Sequence, residues 1–210
     1  MVNLVITILS IALVAIAAVM AVWYGGSSFM NQQAKADANT MIQNMQQMAA
    51  AIQLYATQQN GGNVSFPVTI DGTTASIGTY LMPTYIQEMP YLPIYKATTD
   101  GGTSFIYPGG WTVGILDSTG QWNVSGSPTA GTAIQAIGLR LDYSTRAYNA
   151  CIQLVQQLYG PSATPTPRSN PSYVKMNLSR QIDCGYLDAN SNGVLDNDGA
   201  EDISILYHFN

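Results

Sequence analysis

The sequence opens with MVNLVITILSIALVAIAAVMAVWY, residues 1–24, in which no side chain carries a charge. About 20 apolar residues, each rising about 1.5 Å along a helix, match the hydrocarbon core of a bilayer, which is about 30 Å thick. A secretory signal peptide has basic residues before a shorter apolar core, and this segment has neither feature. We therefore expect a retained helix that lies in lipid or among other apolar helices, with an uncleaved targeting segment as the alternative.

The helical pattern resumes after two glycines, Gly25 and Gly26. A glycine costs about 1 kcal/mol in a helix interior, so the pair predicts either a helix end or a hinge where the helix bends or locally melts. Beyond them, apolar residues recur at alternating intervals of four and three residues: Ala34, Ala38, Met41, Met45, Met48, Ile52 and Tyr55. Such a stripe on an otherwise polar helix predicts packing against a sheet. The breaker Asn-Gly-Gly at 60–62 predicts that the helix ends near Gln59.

These patterns divide the chain into three parts. Residues 1–26, called the front half of the helix below, form an apolar transmembrane or filament-core segment. Residues 27–60, called the back half, form its amphipathic continuation. Residues 61–210 form a globular head.

The chain contains two cysteines, Cys151 and Cys184. Two are too few for a tetrahedral zinc site. In an exported protein they predict one disulfide, which closes a loop of about 30 residues and stabilises the fold by about 3–4 kcal/mol. Two unpaired buried thiols in a reducing compartment are the alternative. Cys184 lies in a segment of mostly polar residues.

In the head, short apolar runs separated by turn residues predict strands. The meander is expected at 103–107, 111–116 and 121–124, and other β-like pieces are expected at 64–70, 75–81, 133–143, 173–178 and 203–209. Ser144 is the predicted cap of a second helix over 145–159, whose apolar face holds Tyr148, Cys151, Ile152, Val155 and Leu158. The Pro-rich residues 162–171 are predicted to form a surface loop.

The predicted fold class is α+β. A long N-terminal helix, with an apolar front half and an amphipathic back half, packs on a twisted antiparallel sheet. A second helix is tied to the fold by the disulfide.

Composition excludes several function classes. Charged residues make up 9% of the chain, against about 25% in ordinary soluble domains. The formal net charge is -5 and the seven basic residues are scattered, whereas nucleic-acid binding requires clustered Lys and Arg. We therefore expect no direct nucleic-acid binding. His208 is the only histidine, and no P-loop, G-x-S-x-G or H-E-x-x-H motif occurs, so we expect no enzyme activity and no required cofactor.

An acidic segment near the C-terminus matches the start of an EF-hand calcium loop, D-x-[DN]-x-[DN]-G. Residues 183–202 hold six of the twelve acidic residues. Gly193 permits the tight turn, but Gly199 stands where such loops carry a bidentate Glu. An acidic, solvated turn is therefore the alternative to a calcium site. The candidate ligands are Asp188, Asn190, Asn192, Asp196 and Asp198.

Three triplets match the asparagine-glycosylation motif, at 63–65, 123–125 and 177–179. About three matches are expected by chance in a chain this rich in Asn, Ser and Thr, so the motifs alone do not indicate glycosylation. Thr164, Thr166 and Ser169 in the Pro-rich segment are candidate O-glycan positions.

Three parts of the sequence together resemble a type IV pilin, most closely of the type IVb class. They are the apolar run with its amphipathic continuation (1–62), the strand-to-helix passage AIGLRLDYSTRAYNACIQLVQQLYG (136–160), and the tail with Cys184 and ISILYHFN (203–210). The resemblance implies a precursor in the inner membrane, whose basic leader is removed by a prepilin peptidase to leave Met1 as an often methylated N-terminus. Assembly machinery then stacks the helices of many copies into a filament core.

One position departs from the pilin pattern. Most pilins carry Glu at the fifth mature position, which pairs with the terminal amine of a neighbouring subunit, whereas this chain has Val5. Burying an unpaired ammonium group is costly. Either another acceptor serves, such as Asn3, Thr7 or a backbone carbonyl, or the chain belongs to a conjugation-type or archaeal branch that lacks the pair. The residues expected to matter for assembly are Met1, Val5, Leu9, Leu13, Ile16, Gly25 and Gly26.

The expected function is that of a major pilin, a homo-oligomeric filament subunit for adhesion or cell–cell contact. It would lie in the inner membrane before assembly and in an extracellular filament afterwards. A minor pilin or tip adhesin that acts as a binding module, or an archaeal-type pilus subunit, is the alternative.

Overall fold

A computed structural model describes residues 2–59, 61, 77–88, 90, 111–114, 120–123, 135–142, 144–168, 173–187 and 202–209. These residues form a mixed α+β structure. Its helices are α1 (Val2–Gln59), α2 (Ile77–Leu81) and α3 (Thr145–Tyr159). Its strands are β1 (Trp111–Gly114), β2 (Gln121–Asn123), β3 (Ala136–Asp142), β4 (Thr166–Arg168), β5 (Tyr173–Lys175), β6 (Ile182–Leu187) and β7 (Asp202–His208).

Helix α1 is 58 residues long and therefore extends about 87 Å. It runs without interruption through Gly25 and Gly26, so the alternative that these glycines end the helix is wrong, and the hinge stays a prediction. The predicted end at Gln59 is confirmed. Gly61 follows with φ +61°, a left-handed conformation that glycine adopts without the steric cost of a Cβ atom.

The predicted apolar stripe of the back half is confirmed, because all seven of its residues are buried in the core. Their partners come from α3 and from the sheet, through β7. At the end of the stripe, Tyr55 packs edge-to-face with two tyrosine rings. The ring centroids are 6.2 Å apart for Tyr80 and 5.6 Å apart for Tyr85. The stripe thus packs against a second helix as well as against the predicted sheet.

The main sheet has five strands in the order β1-β3-β7-β6-β4. The first four are antiparallel neighbours, but β4 pairs parallel with β6, so the prediction of a wholly antiparallel sheet is wrong at this edge. Pro167 lies within β4, and proline, which has no N–H to donate, is tolerated in edge strands. The Pro-rich segment therefore contains an edge strand in addition to loop.

The predicted meander is also wrong. Strand β1 pairs with β3, whereas β2 pairs with β5 in a separate two-stranded sheet. Gly120 precedes β2 with φ +76°, and a Cβ atom there would lie 2.4 Å from the carbonyl oxygen of Met176. The Gly120 carbonyl accepts a hydrogen bond from the Met176 N–H at 2.9 Å. The backbones next to β2 and β5 thus approach closely at Gly120, where a residue with a Cβ atom would not fit.

Two further local predictions are corrected. The described part of 75–81 is the short helix α2 and not a β-like piece. Cys184, predicted to lie in a segment of mostly polar residues, lies in strand β6, whose residues are buried or half-buried. The predicted strands at 64–70 and 103–107 lie outside the described residues.

Helix α3 has the predicted bounds and the predicted cap. The Ser144 hydroxyl oxygen accepts a hydrogen bond from the Ala147 N–H at 3.1 Å, which satisfies one of the free donors of the first turn. Of the predicted apolar face, Cys151 and Val155 are buried, Tyr148 and Ile152 are half-buried, and Leu158 is exposed. The buried face is formed by Ala147, Ala150, Cys151, Leu154 and Val155.

The predicted disulfide is confirmed. Cys151 of α3 is bonded to Cys184 of β6, with a Cα–Cα distance of 5.7 Å and a sequence separation of 33. A loop of this size corresponds to a stabilisation of about 3–4 kcal/mol. The bond fastens α3, on which the back half of α1 packs, to β6, the fourth strand of the main sheet.

Candidate assembly surface

The front half of α1 carries the largest exposed apolar surface among the described residues. Every residue of Leu4–Ala21 is exposed, and none is charged. At about 1.5 Å per residue, these 18 residues extend about 27 Å. Among the described residues, this segment is the one that is long and apolar enough to cross a membrane.

A hydroxyl group in this segment is satisfied within the helix. The Ser10 Oγ donates a hydrogen bond to the Ile6 carbonyl oxygen at 2.9 Å. A hydroxyl bonded to its own helix needs no partner from water. Ser10 is therefore compatible with an environment of lipid or of other apolar helices.

The predicted assembly residues lie on this exposed segment or just after it. Those whose burial is described are exposed, and a Cβ atom added to Gly26 would meet nothing within 4 Å. Gly25 belongs to the same continuous helix. Met1 lies outside the described residues. The exposed side chains are Val5, Leu9, Leu13 and Ile16.

The buried face of the back half continues into the front half. Val5, Trp23 and Met41 are spaced 18 residues apart, which is about five turns at 3.6 residues per turn. Met41 is fully buried, whereas Trp23 is 80% exposed. The head therefore covers only the back half of a single apolar face, and the forward part of that face has no partner within the described chain.

Sequence reasoning missed Trp23 and the exposed apolar side chains Phe29 and Met30 that follow it. Trp23 comes two residues after the apolar window ends at Ala21. Tryptophan is enriched where a membrane-spanning helix meets the aqueous interface. The 18-residue spacing from the Met stripe was the signal that could have identified it.

An ion pair fixes the head where α1 enters it. The Arg146 guanidinium donates from Nε and Nη2 to the two carboxylate oxygens of Asp37, at 2.7 Å and 2.8 Å. Asp37 is 7% exposed. The hydrogen bond to Asp37, together with the attraction of the carboxylate, raises the pKa of Arg146 above its ordinary value against the opposing effect of burial. This bidentate contact joins α1 to the first turn of α3.

The predicted calcium ligands Asp188, Asn190, Asn192, Asp196 and Asp198 lie outside the described residues. Within the described ranges, no group of three or more His, Cys, Asp or Glu side chains could hold a metal ion. The calcium loop stays a prediction.

No protein-family model, no curated protein and no solved structure matches this chain. The resemblance to type IV pilins therefore stays a prediction that rests on the sequence pattern. The geometry adds an uncovered apolar helix of membrane-spanning length, continuous with a helix that is built into a disulfide-bonded α+β head.

Proposed function

We propose that the chain is the structural subunit of an extracellular type IV pilus-like filament, which serves adhesion or cell–cell contact. The observation that carries the proposal is the complete exposure of Leu4–Ala21 in a helix whose back half is built into the head. The segment and the head are therefore connected by one continuous helix, so that packing of the segments would place the heads in a regular array.

Apolar burial is the driving term for assembly. A helix of this size presents on the order of 2,000 Å² of apolar surface, so leaving water for a bundle of like helices is favourable by roughly 50 kcal/mol at about 25 cal/mol per Å². Relative to lipid the gain is far smaller, because lipid tails are as apolar as the side chains themselves. The helix thus has two compatible environments, the membrane before assembly and the filament core afterwards.

Val5 bears on how subunits contact one another. With no acidic residue before Asp37, the core of the proposed filament holds no carboxylate from this segment. Subunit packing then depends on close contact between apolar side chains rather than on a charge pair. A prepilin peptidase and a dedicated assembly machine are the partners that this proposal implies.

The proposal is tested by placing a charge in the exposed segment. We expect Leu9→Lys and Ala15→Arg each to abolish filaments, because a buried unpaired cation costs several kcal/mol in an apolar bundle. The matched control is Gln46→Lys, which places the same charge on an exposed position of the back half and should leave filaments unchanged. Electron microscopy of sheared surface material, with mass spectrometry of its protein, provides the readout.

Head folding must be followed in the same variants. Circular dichroism and an intact Cys151–Cys184 bond should report a normal head in all three proteins, because residues 9 and 15 do not contact it. Wild-type filament yield from Leu9→Lys and Ala15→Arg would contradict the proposal.

A membrane-tethered binding module, such as a minor pilin or tip adhesin, is a second candidate because a single exposed span can also anchor a monomer. The two functions differ in stoichiometry. A major subunit dominates the protein content of purified filaments, whereas a tip or anchor protein is a trace component or is absent.

A further inference from the structure

A buried carboxylate fixes the turn that connects β5 to β6. Asp183 is fully buried and accepts hydrogen bonds from the Asn177 N–H at 2.8 Å, the Thr166 hydroxyl at 2.6 Å and Arg180 Nη1 at 2.7 Å. The Arg180 N–H in turn donates to the Asn177 carbonyl oxygen at 2.9 Å, which closes the turn. Removing the partners of a buried carboxylate is costly. The hydrogen bonds from Asn177 and Arg180 to Asp183 therefore fix the backbone of this turn on its buried side.

The Asn177 side chain lies on the outer side of this turn and is exposed. Its Oδ1 accepts hydrogen bonds from the Ser179 N–H at 3.1 Å and from the Ser179 hydroxyl at 2.7 Å. A backbone N–H can only donate, so this contact identifies the oxygen of the amide. Within the described chain, the amide nitrogen Nδ2 has no hydrogen-bond partner.

We propose that Asn177 is an acceptor for an asparagine-linked glycan. Asn177-Leu178-Ser179 matches the acceptor triplet, and all three residues are exposed. The donor would be an oligosaccharide linked through a diphosphate to a membrane lipid. The bond between Nδ2 and the sugar C1 forms as the bond between C1 and the phosphate oxygen breaks. The electron pair of the broken bond leaves with the lipid diphosphate, and the proton lost by the amide passes to a basic group of the transferase.

The hydrogen bonds of the turn suit this chemistry. When Nδ2 loses its proton, negative charge collects on Oδ1, where the two Ser179 donors are already placed. Donors arranged in advance at a developing charge lower the barrier to forming it. Ser179 therefore has a chemical role as the third residue of the triplet.

The surroundings of the turn also favour a covering group. Leu178 is 40% exposed inside the triplet. The neighbouring Tyr159 is also exposed and has the Arg180 guanidinium 5.0 Å from its ring centroid. A glycan on Asn177 would shield this apolar and aromatic surface on a head with few charges to keep it soluble.

Of the other candidate glycan positions, Thr164 is described and exposed, whereas Thr166 is less suited and the rest lie wholly or partly outside the described residues. The Thr166 hydroxyl donates to buried Asp183, so an O-glycan there would break the network that holds the turn. Residues 63–65, 124–125 and Ser169 are not described. The Cys151–Cys184 disulfide indicates a compartment outside the reducing cytosol, in which lipid-linked oligosaccharides are transferred.

The test is transfer to the folded full-length chain in detergent. The probe is a purified single-subunit oligosaccharyltransferase that requires only Asn-X-Ser/Thr, supplied with a lipid-diphosphate-linked oligosaccharide. Trypsin cleaves after Lys175 and Arg180 and releases residues 176–180, MNLSR, whose mass reports the modification directly. A short acceptor peptide in the same tube shows that the enzyme and donor are active.

We expect glycan on the wild-type 176–180 peptide, none with Asn177→Gln, and at least a tenfold loss with Ser179→Ala, which keeps the acceptor amide. Ser179→Thr, which keeps the hydroxyl, and the matched control Leu178→Ala should be modified like wild type. An unmodified Asn177 beside a glycosylated control peptide would overturn the proposal. So would transfer confined to Asn63 or Asn123, or an undiminished yield with Ser179→Ala. None of these outcomes depends on whether the chain forms filaments.

Discussion

The two halves of α1 share one backbone but have opposite surroundings. In the back half, one apolar face is buried and the remaining faces are mostly polar and exposed, so the sequence shows a clear period of 3.6 residues. In Leu4–Ala21 of the front half every residue is exposed and only Thr7 and Ser10 are polar, so no such period appears. Periodicity therefore reports a partner on one side, whereas its absence in an apolar helix reports an apolar environment on all sides.

The junction between the halves is where the two environments meet. Trp23 lies on the same face as Met41 but outside the head, and Asp37 with Arg146 is the ion pair at the entry to the head. Charge is thus introduced in α1 only at Lys35 and Asp37, where the helix enters the head. The following predictions test whether the two halves are as independent as this division implies.

The largest effect should follow from removing the front half. Deletion of residues 2–28 is expected to convert a fully vesicle-bound protein into a fully unbound one in flotation assays, because the only described segment of membrane-spanning length is lost. The melting temperature of the head should stay within about 2 °C of the full-length value, since none of the deleted residues whose burial is described is buried in it. An unfolded deletion variant would show that the front half supports the head.

A matched pair of methionines tests the same division by single substitutions. Met45 is fully buried, whereas Met20 is 57% exposed on the same helix. We expect Met45→Ala to destabilise the head by about 2–5 kcal/mol, because it leaves a cavity, and Met20→Ala to change stability by less than about 0.5 kcal/mol. Urea denaturation followed by near-UV circular dichroism in detergent measures both. Equal losses would mean that the two halves share one packed core.

The sequence predicted those features of the fold that depend on local spacing or local capping. The seven-residue stripe, the end of α1, the Ser144 cap and the C-terminal strand are set by residues within a few positions of one another. The disulfide followed because Cys151 had one possible partner. Each of these rests on a pattern that needs no knowledge of the rest of the fold.

Strand pairing was not predictable in the same way. Strands β1 and β2 are consecutive in sequence but do not pair with each other: β1 pairs with β3, and β2 pairs with β5. Strand β4 forms despite Pro167 because it pairs with β6 on one side only, at the edge of the sheet. The Asp37–Arg146 pair joins residues 109 positions apart. These choices depend on long-range packing, which residue types and spacing do not specify.

The ion pair itself should have a smaller effect than the buried methionine. Arg146→Ala leaves the carboxylate of Asp37 buried without its partner, and we expect a loss of about 1–2 kcal/mol. The value is reduced from that of a fully buried pair because the Arg146 side chain is 38% exposed and water screens it. Lys35→Ala removes an exposed cation two residues from Asp37 and is the matched control, with little change expected. A larger loss for Lys35→Ala than for Arg146→Ala would contradict the assignment.

The smallest effect should appear only at high pH, at the far end of the back half. Burial, followed by the influence of Tyr80 and of Tyr85, raises the pKa of Tyr55 above its ordinary value of 10.0. The unfolded chain therefore releases this proton first, so the stabilising contribution is complete below pH 10 and is lost as the pH rises through the folded-state pKa. Tyr55→Phe should remove this loss: the stability difference between wild type and variant should be constant from pH 7 to 9 and shift above pH 10 in favour of the variant. The slope can reach at most about 1.4 kcal/mol per pH unit. A difference that stays flat to pH 11 would mean that Tyr55 ionises equally in both states, and that this end of the helix is more open than its burial indicates.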